Sequence, residues 1–213
     1  MTLQEFSTEF DILYNNISSN QAPGLTEYEK SVFLTQAQDA LVLDLYKGTA
    51  GDSFETTEEV TRYLNTLVKS ESFSHLTSED YIENIKQTEV TLLPDVMFIT
   101  HQVAKSNDNW CLVVPSRQDS LYKELQNPFK GPNNKRILCT SEENKIILYS
   151  KKDIQDFKIK YLKFPTPIIL NDCEEGDTIK GKSVNTSLEC KLPESVHQMI
   201  LIRAVQMAKA VWA

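Results

Sequence analysis

The chain has 213 residues, of which 40% are apolar and 24% charged, and it carries a formal net charge of −8. That length makes one large domain, or one domain with a helical appendage, and it buries a core without disulfide or metal staples. No apolar run is long enough to span a bilayer, the N-terminus shows neither the basic nor the apolar region of a signal peptide, and the acidity argues against a nonspecific nucleic-acid binder.

The charge is unevenly placed. Residues 1–83 hold 15 acids and 4 bases, a net −11, and residues 84–213 hold 15 acids and 18 bases, a net +3. Two readings fit. Identical copies could associate head to tail, acidic face to basic face. Alternatively, the first third is simply an acidic, solvated helical region.

Helical signals come first. Leu3 to Tyr14 is amphipathic, with Phe6, Phe10, Leu13 and Tyr14 on one side. Ser18 to Gly24 reads as a loop. Thr26 and Glu29 form a capping box, Val32, Phe33, Ala37, Ala40, Leu41 and Leu45 follow at helical spacing, and Gly48 supplies the stop. A second cap at Thr56 with Glu59 precedes Val60, Tyr63, Leu64, Leu67 and Val68, which predicts a helix over 56–69.

The middle is β-rich. Short runs at 90–93, 96–103, 110–114, 136–140, 145–149 and 158–162 are separated by turn signals at Ser106 to Asn109, Gly131 to Asn134 and Glu142 to Asn144. A short helix fits between Gln118 and Leu125. The spacing predicts a small antiparallel sheet or sandwich. Pro165 and Pro167 exclude a central strand, which leaves Ile168 to Leu170 an edge pairing at most.

The tail is helical again, with Pro193 at its first position. From Val196 to Trp212 apolar residues wrap most of the way round, so the helix needs cover on all sides. It is either a central core helix of its own domain, or it packs on a neighbouring subunit with its other face.

One pattern looks catalytic. Gly176, Gly181, Lys182 and Ser183 satisfy the phosphate-binding spacing G-x-x-x-x-G-K-S. A phosphate loop needs a helix after it, whose N-terminus binds the anion. Here Val184 to Glu189 is β-branched and turn-like, and Asp172, Glu174, Glu175 and Asp177 crowd negative charge upstream. The stretch reads as a polar hairpin or loop. No other catalytic motif appears, and the acidic pairs look like helix starts and turns. Cys111, Cys139, Cys173 and Cys190 contain no CxxC, and His75, His101 and His197 are isolated, so neither a disulfide framework nor a metal or cofactor is implied. Lys151, Lys152, Lys158, Lys160 and Lys163, near Tyr161 and Phe164, could face a nucleic acid or an acidic partner, but three or four lysines on one strand read first as a plain exposed face.

Three segments carry a resemblance: Gly24 to Gln38, Tyr161 to Leu170, and Leu192 to Val205. They resemble the neck ring proteins of crAss-like phages, a head–tail connector class. The resemblance implies a virion protein made in the host cytoplasm, with no enzymatic activity, forming a ring of about twelve copies beneath the portal. Its partners would be itself, the portal, other neck and tail proteins and DNA passing through the channel, but no membrane. It also implies an α+β fold with a helical part joined to a β-rich part. With the element signals this gives a helical region 1–83, a β-rich region 84–191, and a C-terminal helix 192–213 packing back on the helices. Ring contacts are expected from the long helix 26–47 and the tail helix, through Tyr28, Val32, Met199, Ile202, Val205 and Trp212. Loops around 104–110 and 128–136, and the 171–190 segment, would reach neighbouring rings. Two rivals remain at this point, a cytosolic protein-interaction module acting as monomer or dimer, and a nucleotide binder using Lys182 and Ser183.

Overall fold

The computed structural model describes residues 1–15, 24–48, 58–171, 173 and 178–211. The loop expected from Ser18, the cap at Thr56, Gly176 with the acidic residues at 172, 174, 175 and 177, and Trp212 lie outside the described residues. The chain divides into a helical unit, Met1–Leu67 with Phe164–Ala213, and a sheet unit, Val68–Lys163.

In the helical unit, α1 spans Leu3–Asn15 and α2 spans Glu27–Lys47. Both start with reciprocal caps. Thr2 and Glu5 exchange backbone-to-side-chain bonds at 2.8 and 3.3 Å, and Thr26 and Glu29 do the same at the same distances. Gly48 ends α2 in the left-handed region at φ 70°. Helix α5, His197–Val211, lies against α2 and α1. The lining of α1, Leu3, Phe6, Phe10 and Tyr14, is buried, and each fully buried Leu or Phe contributes roughly 1.5–3 kcal/mol. Lys209 of α5 donates to the Leu13 carbonyl at 2.7 Å, which satisfies a free acceptor in the last turn of α1.

The helix expected over 56–69 is shorter. Helix α3 runs Glu58–Leu64, a 3-10 turn follows over Asn65–Leu67, and strand β1 opens at Val68. The apolar stripe suggested a continuing helix, but pairing with a distant strand decides the backbone from Val68 onward. Strands β1 and β2 therefore lie within residues read from sequence as helical, and the sheet unit runs 68–163 rather than 84–191.

The sheet unit comprises β1 (Val68–Ser74), β2 (Glu79–Ile82), β3 (Ile85–Thr91), β4 (Val96–Ser106), β5 (Asn109–Pro115), helix α4 (Leu121–Gln126), β6 (Arg136–Glu142), β7 (Lys145–Ser150) and β8 (Ile154–Lys163). The strand order is β1-β8-β4-β5-β6-β7-β3-β2. All pairs are antiparallel except β5 with β6, which is parallel. A parallel pair needs a long crossover, and residues 116–135 supply it through α4. The sheet curls on one inner core that includes Val90, Ala104, Cys111, Val113, Ile137, Ile146, Phe157, Ile159 and Tyr161. Helix α4 covers the other face of β6 and β7, where Leu121 and Leu125 meet Leu138, Ile147 and Tyr149. These two strands are buried on both faces, hence their unbroken apolar runs. Asn107 and Asp108, at φ 50° and 64°, make the two-residue turn between β4 and β5.

Gly131 follows α4 in the turn that folds back on Asn127, whose carbonyl its N–H reaches at 2.7 Å. A Cβ there would stand 2.7 Å from the Asn127 carbonyl and 3.0 Å from that of Leu125. Gly131→Ala is expected to lower unfolding stability by about 1–3 kcal/mol, as read by urea denaturation, because backbone has to move.

Candidate functional site

Helix α5 has two faces. His197, Ile200, Leu201, Ala204, Val205 and Ala208 are buried at helical spacing, while Met199 and Ile202 stand 44% and 45% exposed on the other side with Gln206. The chain thus covers α5 on one face, not all round. Val205 belongs to the covered face and is buried within its own chain. Tyr28 and Val32 of α2 are half-buried against Ile169, Ile179 and Val184, again within the chain. Among the described contact candidates, only Met199 and Ile202 present large apolar surface. Sequence reasoning missed Ile12 of α1, 55% exposed on the same stripe as Glu5 and Thr8.

Polar side chains of α2 hold an extended segment. Thr35 Oγ1 donates to the Ile168 carbonyl at 3.2 Å and accepts from Ile168 N–H at 3.1 Å. Ser31 Oγ accepts from Leu170 N–H at 3.0 Å, and Gln38 Nε2 donates to the Thr166 carbonyl at 2.8 Å. Ile169 pairs with Leu188 in a single bridge, both bonds 3.0 Å. Two of the segments that carry the family resemblance thus meet here, α2 and Phe164–Leu170. The third, α5, is tied to α2 by Arg203 on Asp44 at 2.5 Å.

The phosphate-loop spacing falls on a hairpin. Strand β9 (Thr178–Ile179) and β10 (Lys182–Ser183) pair through Lys180 and Gly181 at φ 50° and 70°. Ser183 is followed by turn, not helix, so Lys182 and Ser183 have no helix N-terminus behind them. Lys180 forms an ion pair with Asp39 of α2.

An ionic cluster centred on the buried Lys30 joins α1 and α2. Lys30 is 3% exposed; its ammonium reaches Asp11 at 2.6 Å, Glu27 at 2.9 Å and Ser7 at 3.3 Å. Burial opposes its charge, but the Asp11 and Glu27 carboxylates outweigh burial and hold its pKa above the usual lysine value. His197 is buried at the head of α5 and donates from Nε2 to the Leu192 carbonyl at 2.9 Å. Burial pushes its pKa below the usual histidine value, with the Leu192 contact partly opposing.

In the sheet unit, a cleft of about 370 Å³ opens where β4 parts from β5. Gln102 donates to Cys139 Sγ at 3.3 Å on its wall. Burial pushes the Cys139 thiol up to about 11, so it is no nucleophile at neutral pH. Among the described residues no group of three His, Cys, Asp or Glu is placed to hold a metal ion.

The outward face of β8, β4 and β5 carries cations and apolar bulk. Trp110 and Leu112 are 47% and 56% exposed, and the Lys158 ammonium lies 4.7 Å from the Trp110 ring centroid. Alternation hid these two in the sequence, because they alternate with the core-facing Cys111 and Val113 in one apolar run.

Comparison with known proteins gives a consistent picture. The family model described as phage tail ring protein 3/4 matches residues 1–213. The chain is 40% identical over 222 positions to Ring protein 3 of Bacteroides phage crAss001, covering 98% of this chain and 95% of that protein. It is 36% identical over 225 positions to Ring protein 4/5 of the same phage, covering 100% and 94%.

Two outcomes follow from the helical unit. Thr35→Val strands the Ile168 N–H and carbonyl in the interior, and chemical denaturation should show a loss on the order of 2 kcal/mol. His197 is neutral when folded and has a depressed pKa, so its contribution is full above about pH 6.5 and is lost as pH falls below that value. Thermal midpoints measured from pH 7 to 5.5 should drop more steeply in the native chain than in His197→Gln.

Proposed function

The chain belongs to the phage tail ring protein 3/4 family, and from that premise we propose that it is a virion structural protein that closes into a ring of identical copies in the phage neck, between portal and tail. The observation that carries this reading is the match of the ring-protein family model over residues 1–213. The named relatives are ring proteins, and the ring reading comes to this chain through them. Its work is packing and coaxial docking, with no reaction to perform.

The surface supports it. A closed ring built from one kind of subunit needs two unlike patches per copy, each matching the other. The helical unit holds 17 acids and 8 bases, a net −9, and the sheet unit holds 13 acids and 14 bases, a net +1. The exposed pair Met199 and Ile202 adds apolar surface suited to burial by a neighbour. Copy number follows the family resemblance at about twelve, and the ring's axial neighbours are the portal and further neck or tail proteins, with DNA in the channel.

Mass photometry of the purified chain, alone and with a portal ring of the same phage, tests this. One copy is 24.3 kDa, so a ring would appear near ~290 kDa, or as that increment on the portal. A 24.3 kDa species indifferent to the portal would overturn the reading and favour a monomeric interaction module.

A further inference from the structure

We propose that the outward face of β8, β4 and β5, centred on Lys158 and Lys160 with Trp110 and Leu112, docks the acidic outer stripe of α1, Glu5, Glu9 and Ile12, of a second copy. This rests on the ring reading and assigns one of its contacts to residues.

The strand register defines the face. Lys160 pairs with His101; Lys158 pairs with Ser72 on β1 and with Val103, which pairs with Leu112, which pairs with Arg136; and Asp156 pairs with Lys105, which pairs with Trp110. Directly paired residues share a side of the sheet, opposite to Phe157, Ile159 and Tyr161 in the core. Those rows present Lys105, Arg136, Lys158 and Lys160 against the single carboxylate Asp156. Lys105 is already matched by Asp108 at 3.0 Å. Lys158 and Lys160 are exposed and show no carboxylate within ion-pair distance among the described residues; Lys158 rests on Trp110 instead. Trp110 and Leu112 add two large apolar side chains at 47% and 56% exposure beside these charges. Trp110 and Leu112 supply the aromatic and apolar area that interface centres favour, and Lys158 and Lys160 beside them supply a charged rim.

Charge selects the occupant. The helical unit carries the −9, and α1 offers its acids with an apolar residue alongside. Glu5, Glu9 and Ile12 recur at i, i+4 and i+7, so they form one stripe, with Ile12 55% exposed. Two glutamates four apart on a helix rise about 6 Å, and two lysines two apart on a strand are separated by about 6.6 Å. The two charge pairs can therefore face each other in register, with Ile12 left for the Trp110 and Leu112 side. Contact between a basic sheet face and an acidic helix is heterologous, as ring closure requires.

Charge reversal tests the assignment on the full chain, under the conditions in which the native protein assembles alone or on a portal ring. Lys158→Glu with Lys160→Glu should cut the assembled fraction at least tenfold while circular dichroism and thermal midpoint stay native, since both side chains are exposed. Glu9→Lys should weaken assembly in the same direction. Combining Glu9→Lys with the two lysine reversals should recover assembly, which a merely general charge effect would not do. Native-like rings from the lysine double variant would overturn the proposal and leave the ring reading standing. Loss of duplex DNA binding with rings intact would overturn it too and assign the face to the channel DNA. A native chain that never assembles would remove both.

Discussion

The helical unit depends on a polar ladder where an apolar seam would be expected. Ser31, Thr35 and Gln38 lie on one face of α2 and are buried, and they serve the backbone of Thr166 to Leu170 in place of a neighbouring strand. That segment is fully buried at Ile168, Ile169 and Leu170, so its backbone groups must find partners. Pro165 and Pro167 remove two donors, and the Leu188 bridge takes Ile169. Such residues are poor in helix interiors because they compete for backbone bonds, and here that capacity is turned outward to a second segment. The same helix then collects its surroundings. Asp39 holds the β9–β10 hairpin through Lys180, Asp44 holds α5 through Arg203, and Lys30 holds α1 through Asp11.

Much of this was legible in the sequence because local signals and tertiary needs agree. The caps at Thr26 and Gly48, the α1 stripe apart from half-buried Leu13, and the β runs at 136–140 and 145–149 read correctly. Strands β1 and β2 did not, for a physical reason. On β1 the inward positions opposite Tyr161 and Ile159 are Lys69 and Glu71, and only Phe73, across from Phe157, is apolar. Charged inward residues blunt an edge strand against aggregation, and they erase its alternating pattern in the process. The parallel pairing of β5 with β6 was equally hidden, since it depends on where a crossover returns and not on either strand's residues.

Which apolar positions stay exposed was less legible than the fold. Segments that carry the family likeness, around Ser31 to Gln38, Pro165 to Leu170 and Leu192 to Val205, include the interior ladder and the buried face of α5. They identify the fold because they build it. Tyr28, Val32 and Val205 looked like contact candidates for the same reason that they pack inside, namely apolar character at helical spacing. Composition cannot separate an apolar residue that faces its own core from one that faces a neighbour. Only the fold separates Val205 from Ile202, three residues away on the same helix.

The balance of forces on these surfaces also constrains how a ring would hold. An exposed ion pair contributes about 0.2–1 kcal/mol, so two glutamates facing two lysines cannot by themselves hold copies together. Apolar area has to supply the affinity, at roughly 25 cal/mol per Å² removed from water, and here that area is modest and spread over Trp110, Leu112, Ile12, Met199 and Ile202. Charge sets orientation and suppresses wrong pairings more than it adds strength. A copy with weak individual contacts stays dissociated at low concentration, yet once a ring closes every copy is held on two sides. A preformed circular platform such as a portal lowers the entropic cost of bringing the copies together. Weak pairwise contacts with a strict register therefore suit assembly on a template, because they disfavour premature rings while still allowing a complete one to persist.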